Sequence, residues 1–361
     1  MTSNNAGDRT QELTSQNSAS MASVPFTIVD VFSTIPYKGN PLAVVDARDE
    51  TLTDTQMKLI TRQFNLSETT FFFPPTSPKA NFKLRSFLPD GKEVDGVGHN
   101  ILGVWWHLAQ ANLLPLSSPQ HTNPEDGTET FIFSQELGGK IMPVKVTRHT
   151  RTPDNFTVSI RQATPQAHAT HPNPSALAAA LGLDAADIGF LGRELQPQVM
   201  STSTTRHLLV PVSSVEALHR ATVQRDTLLE QLRRIDSKAY GLYLFTPVPS
   251  SSSSSVGGGG TPTFEARFFS PGMSGEDPAT GSAAGPLAAY LFAHGVLEVD
   301  GGGFGRIVVR QGLRVGRECV IDVELCVRKG GGGEVVEVDL VGGGVRVAEG
   351  RITVPCYATT F

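Results

Sequence analysis

Cysteine is scarce in this chain of 361 residues: Cys319, Cys326 and Cys356 make an odd number, all late. That argues against a disulfide framework or a zinc cluster and makes the cytoplasm the expected compartment. No acid/His pair has metal spacing, and His99 and His107 stand eight apart, so no metal centre is expected. No apolar run approaches the roughly 20 residues that a membrane helix requires, so no membrane partner is expected. Basic residues form no concentrated block and the net charge is -5, which excludes a nucleic-acid footprint. The first 23 residues are polar, with Asp8 and Glu12 against one base, Arg9. They lack the charged-then-apolar order of a secretory signal, and their acids are wrong for a transit peptide. A disordered tail is the expectation.

The chain is 39% hydrophobic and 18% charged, the balance of a soluble globular protein with room for two domains. The folded part is expected from Val24. PFTIVDVF and NPLAVVDA read as strands joined by the Pro/Gly turn STIPYKG, and ETTFFF, FKLRSFL and YGLYLFT read as further strands. Thr53 to Phe64 reads as a helix, with Met57, Ile60 and Phe64 at helical spacing. Asn100 to Leu114 reads as an apolar helix containing Trp105 and Trp106, and two more helical segments fall near 174–182 and 223–235. From Arg306 the chain runs strand after strand. PSSSSSSVGGGG, residues 249–260, reads as a flexible surface insertion. Strands dominate, so the expected class is α+β. The expected boundaries are a tail over 1–23, a first domain over 24–150, a second over 151–345, and a strand segment over 346–361 that returns to the first domain.

An internal repeat supports this division. Shifted by 182 positions without gaps, residues 82–111 match 264–293 at Phe82/Phe264, Arg85/Arg267, Phe87/Phe269, Pro89/Pro271, Asp95/Asp277, Gly103/Gly285 and Ala111/Ala293. Chance matching would give roughly two identities. The order of elements also repeats: a strand ending in F-x-P, a Gly/acid loop, then a helix. Two homologous domains facing each other are the expectation, against coincidence between two common strand–helix units.

Each repeat unit ends at a helix mouth. The first N–H groups of a helix have no internal partner, and with the helix dipole they attract anions. Gly96-Val97-Gly98-His99 and Ala279-Thr280-Gly281-Ser282 are small enough to let a ligand approach the backbone. Two such mouths on one cleft would hold a small carboxylate-bearing molecule from both sides. Either loop alone could equally be a helix cap with no ligand.

Three motifs then resemble the phenazine-biosynthesis isomerases (PhzF-like), which share the diaminopimelate-epimerase fold. They are Asn65-Leu-Ser-Glu68-Thr with the following FFF, Gly98-His99 opening a helix, and Glu276-Asp-Pro-Ala-Thr-Gly-Ser-Ala283. VDVFSTIPYKGNPLAVV and the late Gln311-Gly312 and Gly316-Arg317 also match, so the resemblance covers roughly residues 24–355. It implies two similar domains, each a strand barrel around a central helix, with the active site between them. It also implies a homodimer and no cofactor. Carried over by motif, Glu68 is the general acid/base, His99 and Asp277 are its polar partners, and Ser67, Gly98 and Ser282 line the site. The second helix mouth adds Thr280 and Gly281 to the expected binding set.

Each candidate also has a plainer reading. Asn65-Leu-Ser-Glu68 has capping-box spacing. The phenylalanines and threonines that follow favour a strand instead, on which Glu68, Thr70 and Phe72 share a face. A carboxylate beside such apolar bulk loses hydration and its pKa rises, as a proton shuttle near neutral pH requires. His99 could be a cap or a satisfied core histidine. Asp277 could be a helix N-cap with Pro278 at the first helical position. Asp95, Arg85 and Arg267 are expected to be structural, the arginines pairing with nearby acids.

Epimerases and racemases of this fold use two facing cysteine thiols, one per domain. Position 97 is Val, and 277–282 contain no Cys, so that mechanism is excluded for this chain. Val97 and Asn100 depart from the family's usual residues at what is expected to be the pocket wall. The expected function is a cofactor-independent isomerase acting on a small carboxylated, unsaturated molecule. The rivals are a one-base epimerase, racemase or lyase on the same fold, and a non-catalytic small-molecule-binding protein.

Overall fold

The computed structural model describes residues 22–96, 98–152, 155–190, 192, 195–202, 205–249, 260–272, 275–330 and 333–356. Most of the expected N-terminal tail, Val97 and most of the Ser/Gly insertion lie outside the described residues, and Ser23, placed in the tail by sequence, instead opens the first strand. The first half comprises β1 (Ser23–Val31), β2 (Asn40–Asp46), α1 (Asp54–Phe64), β3 (Glu68–Phe73), β4 (Phe82–Phe87), β5 (Glu93–Val94), α2 (His99–Gln110), β6 (His121–Asn123), β7 (Thr128–Leu137), β8 (Lys140–His149) and β9 (Phe156–Arg161). The second comprises β10 (Gln166–Thr170), α3 (Pro174–Ala180), β11 (Gln198–Thr202), β12 (Thr205–Pro211), α4 (Val215–Arg220), α5 (Arg225–Ile235), β13 (Ala239–Pro247), β14 (Thr263–Phe269), β15 (Glu276–Asp277), α6 (Gly281–Ala293), β16 (Phe304–Gln311), β17 (Cys319–Gly330) and β18 (Gly333–Gly342). A last strand, β19 (Gly344–Thr353), runs antiparallel to β1. Among the described residues, no helix is long and apolar enough to cross a membrane.

The two halves share one pairing pattern. β1–β2 is antiparallel, β2–β3 parallel, β3–β4 antiparallel and β4–β7 parallel. In the second half β11–β12, β12–β13, β13–β14 and β14–β16 repeat that alternation. Each half then closes with an antiparallel meander, β7–β8–β9 and β16–β17–β18. The meanders meet where β18 pairs antiparallel with β9, so one continuous sheet runs through the molecule.

The strands of each half curl round one helix. α2 touches β1, β2, β3, β8, β9 and β19, and α6 touches β11, β12, β16, β17 and β18. Both helices are apolar on every side, as a helix enclosed by sheet must be. Ile101, Leu102, Val104, Trp105 and Leu108 on α2 are fully buried, as are Leu287, Tyr290 and Leu291 on α6. Full burial of each large apolar side chain is worth about 1.5–3 kcal/mol. One core cluster contains both helices and spans the two halves. Separate smaller clusters lie under α1 and under α3–α5, outside the sheet.

Strand alternation sorts β3 as expected. Phe72 points inward to the core of Trp105, while Phe71 points outward to Met57 and Ile60 of α1. The capping box belongs to α1, where Thr53 and Gln56 bond each other's backbone N–H. Asn65 is instead the left-handed C-cap of that helix, φ 50°, and Glu68 opens a strand. α2 ends at Gln110 rather than at Leu114, and Asn112 beyond it is left-handed, φ 55°.

The repeated glycines have one physical reason. A helix inside a curled sheet must approach the strands closely. A Cβ on Gly103 would lie 2.6 Å from Val31 Cγ2 and 2.7 Å from Leu42 Cδ2, and one on Gly285 would lie 1.8 Å from Gln162 Oε1. We predict that Gly103→Ala lowers unfolding free energy by about 1–3 kcal/mol despite alanine's better helix propensity, because overpacking outweighs it. Denaturant titration checks this, and an unchanged or raised midpoint would contradict the packing described.

Candidate active site

The residues singled out by motif converge where the two enclosed helices begin. α2 starts at His99 with Gly98 as N-cap, and α6 starts at Gly281 with Thr280 as N-cap. Neither cap is a side-chain hydrogen bond. The starts touch: a Cβ on Gly281 would come within 3.3 Å of Gly98 Cα. Two buried positive dipole ends thus face one place, an arrangement that favours negative charge there.

Glu68 supplies such a charge from the first residue of β3. Its Oε2 lies 3.1 Å from Nε2 of His99, the first residue of α2. The two atoms are close but not aligned as a hydrogen bond, and both are buried without a partner. About a fifth of the Glu68 side chain stays accessible (21%), while His99 is nearly enclosed at 8%. Desolvation pushes the Glu68 carboxyl up to about 7. Desolvation also pushes His99 down to about 4, against the nearby Asp277 charge, so its imidazole is neutral near pH 7.

Asp277 comes from the second half. Its carboxyl is raised to about 6, chiefly by burial, with His99 and Thr280 opposing and Glu68 adding to the rise. Oδ1 accepts from Asn40 Nδ2 at 3.0 Å, and Oδ2 accepts from Thr280 Oγ1 at 2.6 Å. Asp277 is therefore not the N-cap of α6. It lies on β15, paired with Phe268, and its oxygens are committed to Asn40 and Thr280.

The remaining expected residues divide. Gly98 and Ser67 sit half-buried at the junction, with Ser67 Oγ 3.4 Å from Asn40 Oδ1. The Gly281 carbonyl accepts from Gln162 Nε2 at 3.0 Å. Ser282 Oγ is bonded to Nε2 of His207 at 2.9 Å. Thr280 braces rather than lines the junction: its hydroxyl donates to Asp277 and accepts from Gln311 Nε2, and its N–H donates to Gln311 Oε1. Asn100 does not form a pocket wall. It is 4% exposed and turned back, donating to Ser86 Oγ and the Gly96 carbonyl while its Oδ1 accepts from Gly98 N.

Strand register corrects one detail of the repeat. β4 pairs Ser86 with Val94, and β14 pairs Phe268 with Asp277. The structural counterpart of Asp277 is thus Val94, and the gap-free match to the exposed Asp95 is offset by one residue. Register also relates Glu68 to Gly241. Thr69 pairs with Phe87 as Leu242 pairs with Phe269, and Leu42 pairs with Glu68 as His207 pairs with Gly241. A Cβ on Gly241 would lie 2.3 Å from Phe268 Cζ, so that position has no room for an acid. The two arginines match and are structural: Arg85 pairs with Glu93 and Asp54, and Arg267 with Glu276.

Sequence reasoning assigned no role to Asn40, Gln311, Arg317 or His207. The first three lie inside matching motifs, but their partners are remote in sequence. Gln311 Nε2 donates to the Asp277 carbonyl at 2.7 Å. Arg317 Nη1 bonds the buried Asp30 at 3.1 Å and also donates to the Gly39 carbonyl, while Asp30 accepts from Tyr37 N. Arg317 and Asp30 thus hold the turn that presents Asn40 to Asp277.

A duplicated α+β chain, curled twice round an apolar helix and carrying a desolvated carboxyl where the helices meet, defines the diaminopimelate epimerase-like class. Within it the chain belongs to the phenazine biosynthesis-like family, whose family model matches residues 29–350. It is 31% identical to an uncharacterized isomerase of Mesorhizobium japonicum, over 91% of this chain and 98% of that one. It is 28% identical to a trans-2,3-dihydro-3-hydroxyanthranilate isomerase of Pseudomonas fluorescens, over 91% and 98%. The crystal structure of a PhzF-family phenazine biosynthesis protein of Bacillus anthracis superposes with a TM-score of 0.73 at 23% identity, covering 92% of this chain and 99% of that one.

The Glu68 shift has a consequence for stability. Its folded value is raised from 4.5 to about 7, so the folded chain keeps this proton after the unfolded chain releases it. The contribution is fully present below pH 4.5 and is lost as pH rises through about 7. The difference in unfolding free energy, wild type minus Glu68→Gln, is predicted to fall by roughly 1–3 kcal/mol from about pH 5 to about pH 8. Denaturation at a series of pH values measures it, and a flat difference would mean that the carboxyl is hydrated.

Proposed function

We propose that this chain is a cofactor-independent isomerase that moves a proton between carbons of a small carboxylated, unsaturated metabolite. The observation that carries this reading is the Glu68 carboxyl, buried at two uncapped helix starts and raised to about 7. Near neutral pH both its protonation states are accessible, which general acid/base work needs.

As a carboxylate, Glu68 takes a proton from carbon, and the C–H electron pair moves into the substrate's unsaturated system. The O–H bond of Glu68 then breaks as a new C–H bond forms at the other end of that system. The helix-start N–H groups hold the substrate carboxylate and the charge that develops beside it. Neutral His99 hydrogen-bonds or relays the proton without adding a buried cation. Asp277, fixed by Asn40 and Thr280, orients His99. Ser67, Gly98, Gly281 and Ser282 line the substrate. The Glu68 position has glycine as its counterpart in the second half, which favours one base and one reacting face over a two-base racemase.

The Pseudomonas fluorescens relative's name supplies a substrate class to try: a cyclic, carboxylated, unsaturated amine. In deuterated water, wild type should introduce deuterium into trans-2,3-dihydro-3-hydroxyanthranilate or a related cyclic dienoic acid, followed by NMR. Glu68→Gln should lower the rate by about 10²–10⁴-fold. The kcat/KM of wild type should rise with pH through an apparent pKa near 7, with Glu68 active as carboxylate. A folded Glu68→Gln as active as wild type would sink the assignment. Tight carboxylate binding with no exchange from any such acid would favour the non-catalytic rival.

A further inference from the structure

His207 lies on β12, outside every motif that points to the site. It is 1% exposed, its ring stands edge-on to Phe268 at 5.0 Å between centroids, and Nε2 is 2.9 Å from Ser282 Oγ. Nδ1 is buried with no partner. Burial pushes its imidazolium down to about 3, so the ring is neutral and carries a single N–H.

The place of that hydrogen decides what Ser282 can do. With the hydrogen on Nδ1, a buried N–H has no acceptor, and the Ser282 hydroxyl must donate to Nε2. It then has no proton left for an anion at the helix start. With the hydrogen on Nε2, the ring donates to Ser282 Oγ and the hydroxyl proton is free to turn toward the junction. A buried orphan N–H is the rarer defect of the two. A carboxylate at the α6 start is also satisfied only by the second arrangement, a chain of donors running His207, Ser282, carboxylate. The repeat sharpens this. Asn100 stands in the first half where Ser282 stands in the second, and its amide is spent on Ser86, Gly96 and Gly98. Of the two equivalent side chains, Ser282 is the one bonded to a neutral ring that can leave its proton free.

We propose that His207 is a positioning residue that donates from Nε2 to Ser282 and so makes the Ser282 hydroxyl a donor to the substrate's carboxylate. This rests on the function proposed above for the same site, but its test does not require turnover. In the full chain labelled with ¹⁵N-histidine, with His207 assigned by difference from His207→Gln, NMR should show the Nε2–H tautomer. The Nδ1–H tautomer would overturn the proposal whether or not the chain proves to be an isomerase. On an active substrate, His207→Phe and Ser282→Ala should each raise KM about tenfold with kcat little changed, and the double variant should be no worse than either. His207→Gln, whose amide can donate to Ser282, should restore KM. Additive effects, or an equal loss with His207→Gln, would reduce His207 to packing and overturn the proposal.

Discussion

Two helix starts buried against each other, neither capped by a side chain, are the constraint on which the rest of the molecule depends. Each leaves backbone N–H groups without an internal acceptor in a largely buried place. Part of the demand is met locally, by Asn100 Oδ1 at Gly98 N and Gln311 Oε1 at Thr280 N. Two carboxyl groups, Glu68 and Asp277, stand beside these starts. The dipole ends favour ionised carboxylates while desolvation favours neutral acids, and burial is the larger effect at Glu68 and Asp277. Acids that titrate close to neutrality are the outcome, which is also what proton transfer from carbon requires.

The duplication repeats the scaffold and not the candidate site. Features with a packing reason occur twice: the close-approach glycines 103 and 285, and the Arg85–Glu93 and Arg267–Glu276 pairs. Features of the site occur once. Glu68 faces the register of Gly241, His99 that of Gly281, and Asp277 that of Val94. Packing demands are the same in both halves because both enclose a helix. The second copy fills the space that corresponds to Glu68 with Phe268 and His207.

Much of this was legible in the chain because its causes are local. Period-two alternation put Glu68, Thr70 and Phe72 on one face of β3, and small residues before apolar runs marked both helix mouths. Capping chemistry was less legible. The spacing from Asn65 to Glu68 suits a capping box, but Asn65 ends a helix whose box lies at Thr53 and Gln56. Pro278 beside Asp277 suggests a helix start, yet the chain takes a β pairing first and the helix begins at Gly281. Asn100 has the polarity of a pocket residue, but the unsatisfied loop behind it claims its amide.

Residue types and short-range spacing were enough for the α+β class and for two helix mouths lined by small residues without cysteine; the pairing of the mouths came from the repeat, and Glu68 was singled out by its resemblance to a family motif. Which groups complete the site was settled only by folding. Asn40 reaches Asp277 across 237 positions, and Ser282 meets His207 across 75. No local pattern encodes such pairs. They arise because β2 and β15 are carried to one junction by separate halves of the sheet, where burial makes an unpaired polar group costly.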